Sequence, residues 1–211
     1  ARDGGATGGQ GFGTAFSRAP AGDQTETAAF KRWFAGSRVV DAEGKPLVVY
    51  HGTQVEFTEF DTEFADSVGG WWFTDDNAYA YDIAKGGWDV RGSVPDAKVM
   101  NVYLRITNPL TFDVLKEGRR VADEIGVDAP QDAQEAQEIL AGDIGWDKIV
   151  KDLVADAKRA GHDGLIITNF QDGRLTTSTA YIAFESTQIK SAIGNNGNFD
   201  PNDPDIRRSA N

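Results

Sequence analysis

The chain has 211 residues, 40% hydrophobic and 26% charged, enough for one domain with a full core. Its 21 basic and 33 acidic residues give a formal net charge of −12, which argues against broad contact with a phosphate backbone but admits a mononucleotide held by a few local donors. With no cysteine and two histidines, disulfides, thiol nucleophiles and Cys- or His-rich metal sites are excluded; no apolar run is long enough to cross a bilayer, and no signal-peptide pattern opens the sequence.

Residues 1–25, rich in Gly, Ala and small polar residues, read as a flexible arm or linker, as if this were a piece of a longer polypeptide. Phe30, Trp33 and Phe34 stand at helical spacing within 26–35, with Gly36 as the stop. A turn over 41–46 leads into the apolar run Leu47–Tyr50, a buried strand ending in His51-Gly52-Thr53. Gly70–Thr74 is a short aromatic strand, and Asp75-Asp76-Asn77 can cap a helix over 78–85. Val99–Ile106 alternates as a strand, which Asn108-Pro109 ends. Residues 114–160 read as helices, the last (146–160) with Ile149, Val150, Leu153, Val154 and Ala157 on one stripe. Strands follow at 163–168 and 180–184, then a strand or short helix at 188–193, and a polar tail over 200–211. The expected globular domain is 26–199, α+β, with largely antiparallel pairing.

The candidate chemistry is sparse. There is no Walker-type loop and no GxGxxG after a strand. The acidic pairs Asp75-Asp76 and Asp61/Glu63 read as solvated turns and caps rather than metal ligands, because no Asp-x-Asp-x-Asp-Gly loop exists. His51 is either a satisfied core histidine or an imidazole presented at a strand end as a hydrogen-bond donor to a ligand. In the second case Gly52, lacking a Cβ, lets that ligand approach the backbone. The aromatic cluster of Gly70-Trp71-Trp72-Phe73 with Tyr79 and Tyr81 is either core or the face on which a flat ring stacks.

Taken together, Tyr50-His51-Gly52-Thr53, Gly70–Asp75, Ala78–Tyr81 and Tyr181–Phe184 followed by Gln188-Ile189-Lys190 resemble the ADP-ribosyltransferases with a His-Tyr-Glu triad, diphtheria-type toxins and poly(ADP-ribose) polymerases among them. Stretches 102–110, 161–166, 188–192 and 197–206 are similar to ADP-ribosyltransferase domains of phage polyvalent and head-associated proteins. The resemblance spans about residues 30–206 and implies split, mostly antiparallel sheets forming an NAD cleft with flanking helices. It implies NAD as co-substrate, without metal. His51 would bind the adenosine-ribose 2′-hydroxyl, Gly52 backbone groups the carboxamide, and Thr53 the neighbouring ribose or amide. Tyr81 would stack on nicotinamide, Trp72 with Phe73 would supply further aromatic wall, and the loop 66–70 with Gly70 would flank adenosine. The family's glutamate directly precedes the Tyr-Ile-x-Phe strand, where this chain has Ala180. Glu185 is no substitute, since it lies about 17 Å along the strand with opposite side-chain parity.

The implied activity is transfer of a single ADP-ribosyl group from NAD to a protein or nucleic-acid acceptor, recognised by residues 169–179, with Ala180 marking an inactivated form. The alternative is a non-catalytic module that binds NAD or ADP-ribose. RNA 2′-phosphotransfer is disfavoured because Arg119-Arg120 and Lys158-Arg159, the most basic runs, read as solvated helix faces; a virion packing role is a further option. The resemblance places the protein in a phage virion or among secreted effectors that act in the cytoplasm of a target bacterium.

Overall fold

A computed structural model describes residues 24–60, 65, 69–86, 96–171, 176–195, 197 and 199–207. Residues 1–23 of the expected arm, 66–68 of the expected adenosine loop, Asp61, Glu63 and the tail end 208–211 lie outside the described residues. Seven strands join in the order β4-β5-β6-β2-β1-β3-β7. They are β1 (Val49–Thr53), β2 (Trp71–Thr74), β3 (Lys98–Leu104), β4 (Pro109–Asp113), β5 (Gly164–Phe170), β6 (Ser178–Ala183) and β7 (Ile189–Ser191). Five α-helices accompany them among the described residues: α1 (Ala28–Phe34), α2 (Asn77–Ala84), α3 (Val114–Ile125), α4 (Ala133–Ala141) and α5 (Trp146–Arg159). All neighbouring strands run antiparallel except β4 and β5, which are parallel.

Short polar side chains start the helices where capping chemistry expects them. Thr27 accepts from Phe30 N at 3.1 Å, Asp76 from Ala78 N at 2.8 Å and Tyr79 N at 3.0 Å, and Asp113 and Asp132 cap α3 and α4 in the same way. Helix α1 buries Phe30, Trp33 and Phe34 against Tyr103 and Phe199. Helix α5 buries Val150, Val154 and Ala157, the centre of the stripe expected there.

Alternation splits the core between the two faces of the sheet. Val49, Trp71, Phe73, Tyr181 and Ala183 enter one cluster, while Ala180, Ile182, Leu165 and Ile167 enter the other with Val150 and Val154 of α5. Strand β3 ends before Asn108-Pro109 as expected, and Pro109 also opens β4, an edge strand absent from the sequence expectation, whose first residue needs no N–H in the ladder. His51, Gly52 and Thr53 end β1 as expected, paired with Met100, Val99 and Lys98 of β3. One expectation needs correction. Residues 200–207 do not trail as a polar tail. Ile206 is 1% exposed, its N–H donates to Thr58 O at 2.8 Å, and its carbonyl accepts from Ser191 N at 2.9 Å.

The Gln188-Ile189-Lys190 motif explains that anchoring. Gln188 donates to Arg105 O and Asp163 O and accepts from the N–H groups of Phe184 and Glu185, so all its polar capacity is used in joining strands. Lys190 is fully buried and donates to the carbonyls of Asp203 at 2.5 Å and Asp205 at 3.0 Å. Desolvation holds its pKa below the usual lysine value, against the pull of Asp203, Asp200 and Asp205.

Candidate active site

The sheet nearly parts between β1 and β2. Five residue pairs join β1 to β3, but only Tyr50↔Thr74 joins β1 to β2. Past that pair the two strands splay, and a cleft of about 830 Å³ opens, within the range of small-molecule and cofactor sites. His51, Gly52, Thr53, Gly70, Trp72, Phe73 and Ala180 all border it, so seven of the eight positions singled out in the sequence meet in one place.

His51 spans the parting. Its Nδ1 lies 2.8 Å from Trp72 O, a carbonyl that can only accept, so Nδ1 carries the proton and Nε2 presents a lone pair. The ring packs against Phe57, Phe60 and Phe73, with centroids at 6.2, 5.2 and 5.5 Å. Desolvation among these rings lowers its pKa, outweighing the Trp72 hydrogen bond, and favours the neutral imidazole. The sequence expectation of a donating imidazole is therefore reversed: the free nitrogen accepts.

Gly52 also has a different reason for being glycine. A Cβ there would lie 1.9 Å from Ala80 O and 2.9 Å from Ala84 N, so the missing side chain makes room for helix α2 and not for a ligand. Gly70, at φ 145°, is fixed likewise by β6: a Cβ would meet Ile182 Cγ2 at 2.6 Å and Ala183 O at 2.7 Å.

Tyr81 is the eighth position, and the structure takes it out of the cleft. Tyr79, Ala80 and the exposed Ile83 of helix α2 border the cleft, and Tyr81 does not. Tyr81 is two positions past Tyr79, about 200° around the helix; it is 40% exposed, with Lys85 Nζ 5.2 Å from its ring centroid. Tyr79 occupies the wall instead, 6.3 Å from Phe170. Phe170 stacks in turn on Trp146, at 5.9 Å and 27°. Trp72, Tyr79, Phe170 and Trp146 thus form an aromatic surround at the Ala180 end of the cleft. The helical period could have chosen Tyr79 over Tyr81 had the face of α2 toward β1 been known. Nothing local in the sequence marks Phe170 or Trp146.

Ala180 is 2% exposed and registers with Thr74 on one side and Ile167 on the other. Glu185 does not border the cleft. The carboxylates among the described residues that do are Glu59 and Asp147, and the cation is Lys151. Among the described residues no group of three or more His, Asp or Glu is placed to hold a metal ion.

The family model of ADP-ribosyltransferases in polyvalent proteins matches residues 41–199. The chain belongs to that family. The match takes in β1 through β7, both sides of the parting and the described residues that border the cleft, so the cleft lies within the matched span. Neither a curated protein nor a solved structure matches the chain.

Proposed function

We propose that this ADP-ribosyltransferase cleft binds NAD folded across the β1–β2 parting, and that the domain is built to move one ADP-ribosyl group to a macromolecular acceptor. The observation that carries the reading is the parting itself, where His51 and Gly52 of β1, Trp72 of β2 and Ala180 of β6 border one cleft. The His51 Nε2 lone pair accepts from a ribose hydroxyl. Backbone groups of β1 beyond Tyr50 have no ladder partners in β2 and suit a planar carboxamide. Trp72 and Tyr79 supply flat apolar surface for a ring.

In the transfer, the bond between the anomeric carbon and the nicotinamide nitrogen breaks and its electron pair leaves with nicotinamide. A lone pair of the acceptor forms the new bond, and the acceptor's proton passes to a base or to water. Positive charge develops at the anomeric carbon, where a carboxylate on the adjacent hydroxyl lowers the barrier. At position 180 this chain offers a methyl group, and we read it as an inactivated form. Loss of one preorganised group of this kind typically costs about 10²–10³ in rate. The acceptor is read by residues 169–179, of which 172–175 lie outside the described residues; the start of the segment is held by Asn169 Nδ2 donating to Asp113 Oδ1 at 3.0 Å.

The test is nicotinamide release and labelling from radiolabelled NAD in a cell lysate, comparing the chain with Ala180→Glu. The substituted protein should release nicotinamide and label a target, while the unaltered chain binds NAD and turns it over slowly. Binding without restored turnover would instead favour a non-catalytic module for NAD or ADP-ribose, a reading supported by the apolar setting of Ala180 beside Phe170 and Ile182. Failure of both proteins to bind either ligand would refute both readings.

A further inference from the structure

One wall of the cleft is helical. It is the start of α5, where Trp146, Asp147, Val150 and Lys151 border the opening. Positions 147 and 151 lie one turn apart on the same face, and helical side chains lean toward the N-terminus, so Lys151 overhangs the first turn.

Among the described residues Lys151 is the sole Lys or Arg bordering the cleft, beside the carboxylates Glu59 and Asp147 and within a chain of net charge −12. Other cations of α5 are engaged. Lys148 pairs with Asp152 at 2.5 Å, Arg159 with Asp156 at 2.8 Å, and Lys158 lies 5.1 Å from the Phe184 ring centroid. Among the described residues Lys151 has no ion-pair partner, although Asp147 stands at i−4 on its own helix. A second unmet group is next to it. The Trp146 indole Nε1 is buried without a hydrogen-bond partner, while its ring is fixed on Phe170. Buried donors in native structures are normally paired, so this unpaired indole N–H in a residue that borders the cleft calls for a partner.

We propose that the start of α5 is the phosphate-recognising wall of the cleft: Lys151 supplies the counter-charge for the ligand's diphosphate, and the Trp146 indole donates to one of its oxygens. The proposal rests on the NAD reading, since a dinucleotide brings a diphosphate into a cleft that otherwise presents carboxylates. A lone cation there separates ligands that carry phosphate from those that do not.

The experiment is calorimetric titration of the full chain with ADP-ribose and with adenosine, at two salt concentrations. Lys151→Ala should weaken ADP-ribose about tenfold while changing adenosine by less than about twofold, and should flatten the salt dependence. Lys151→Arg should keep most of the affinity. Trp146→Phe, which preserves the ring packing, should also weaken ADP-ribose selectively. Lys148→Ala removes the same charge from the same helix away from the cleft and should leave both ligands unchanged. Equal losses for ADP-ribose and adenosine in Lys151→Ala would show a packing role and overturn the proposal, as would unchanged ADP-ribose affinity. If the unaltered chain binds neither NAD nor ADP-ribose, the NAD reading fails first, an outcome visible before any variant is compared.

Discussion

Replacing Gly52 by alanine tests how the cleft is built. The added Cβ would sit 1.9 Å from Ala80 O, 2.9 Å from Ala80 C and 2.9 Å from Ala84 N. All three are backbone atoms of α2, so no rotamer change relieves the contact. Restoring an ordinary separation of about 3.5 Å requires α2 to retreat by roughly 1.5 Å. That movement unseats Ala80 and Ala84, each 2% exposed. Overpacking of this sort costs about 1–3 kcal/mol, and a rigid backbone partner puts Gly52→Ala at about 3 kcal/mol or more. Gly161→Ala is the control: its φ is +81° but nothing lies within 4 Å, so it meets conformational strain alone, about 1–2 kcal/mol. Urea unfolding of both variants gives the comparison. Because α2 carries Tyr79 and Ile83 into the cleft, NAD affinity should fall with stability in Gly52→Ala and stay unchanged in Gly161→Ala. If Gly52→Ala unfolds no more easily than Gly161→Ala, α2 is not seated on β1 as described.

His51 has a folded-state pKa below its unfolded value, so its contribution to stability is complete above about pH 6.5 and is lost as pH falls from there toward the folded pKa, at up to about 1.4 kcal/mol per pH unit; denaturation midpoints at pH 7, 6 and 5 should trace that decline, and His51→Gln should flatten it. The corrected aromatic wall predicts that Tyr79→Ala weakens NAD binding about tenfold or more and Tyr81→Ala changes it little, measured by titration; the reverse order would restore Tyr81 to the site. Lys190→Met leaves the carbonyls of Asp203 and Asp205 unpaired, with an expected cost of about 2–4 kcal/mol. Hydrogen exchange should then show early loss of protection at the Ser191 and Ile206 amides.

The site combines groups from elements far apart in the chain. The two strands that part, β1 and β2, are fixed by their outer neighbours: β1 by five pairs to β3, and β2 by four pairs to β6. Between them a single pair remains, and the His51 imidazole, not a backbone ladder, makes the next contact. An apolar opening can therefore persist at the middle of a well-paired sheet without stranding the Trp72 carbonyl.

Much of this was written locally. The His51-Gly52-Thr53 strand, the aromatic run 71–73, the Asp76 cap and the α5 stripe follow from periodicity and capping chemistry, which depend only on near neighbours in sequence. Ala180 too was legible, because its distance from Tyr181-Ile182 is fixed by a short motif. What only the tertiary structure decided was direction and long-range contact. Tyr79 and Tyr81 are two residues apart and chemically equal, and the packing of α2 on Gly52 selects one for the cleft and the other for solvent. The hydrogen-bonding sense of His51 depends on the Trp72 carbonyl from another strand. The same holds for Phe170, Trp146 and Lys151, brought to the cleft by the packing of β5 and α5 on the Ala180 face of the sheet. Ile206 lay in a segment polar enough to read as tail, and its burial depends on Lys190 reaching carbonyls that no local pattern pairs with it.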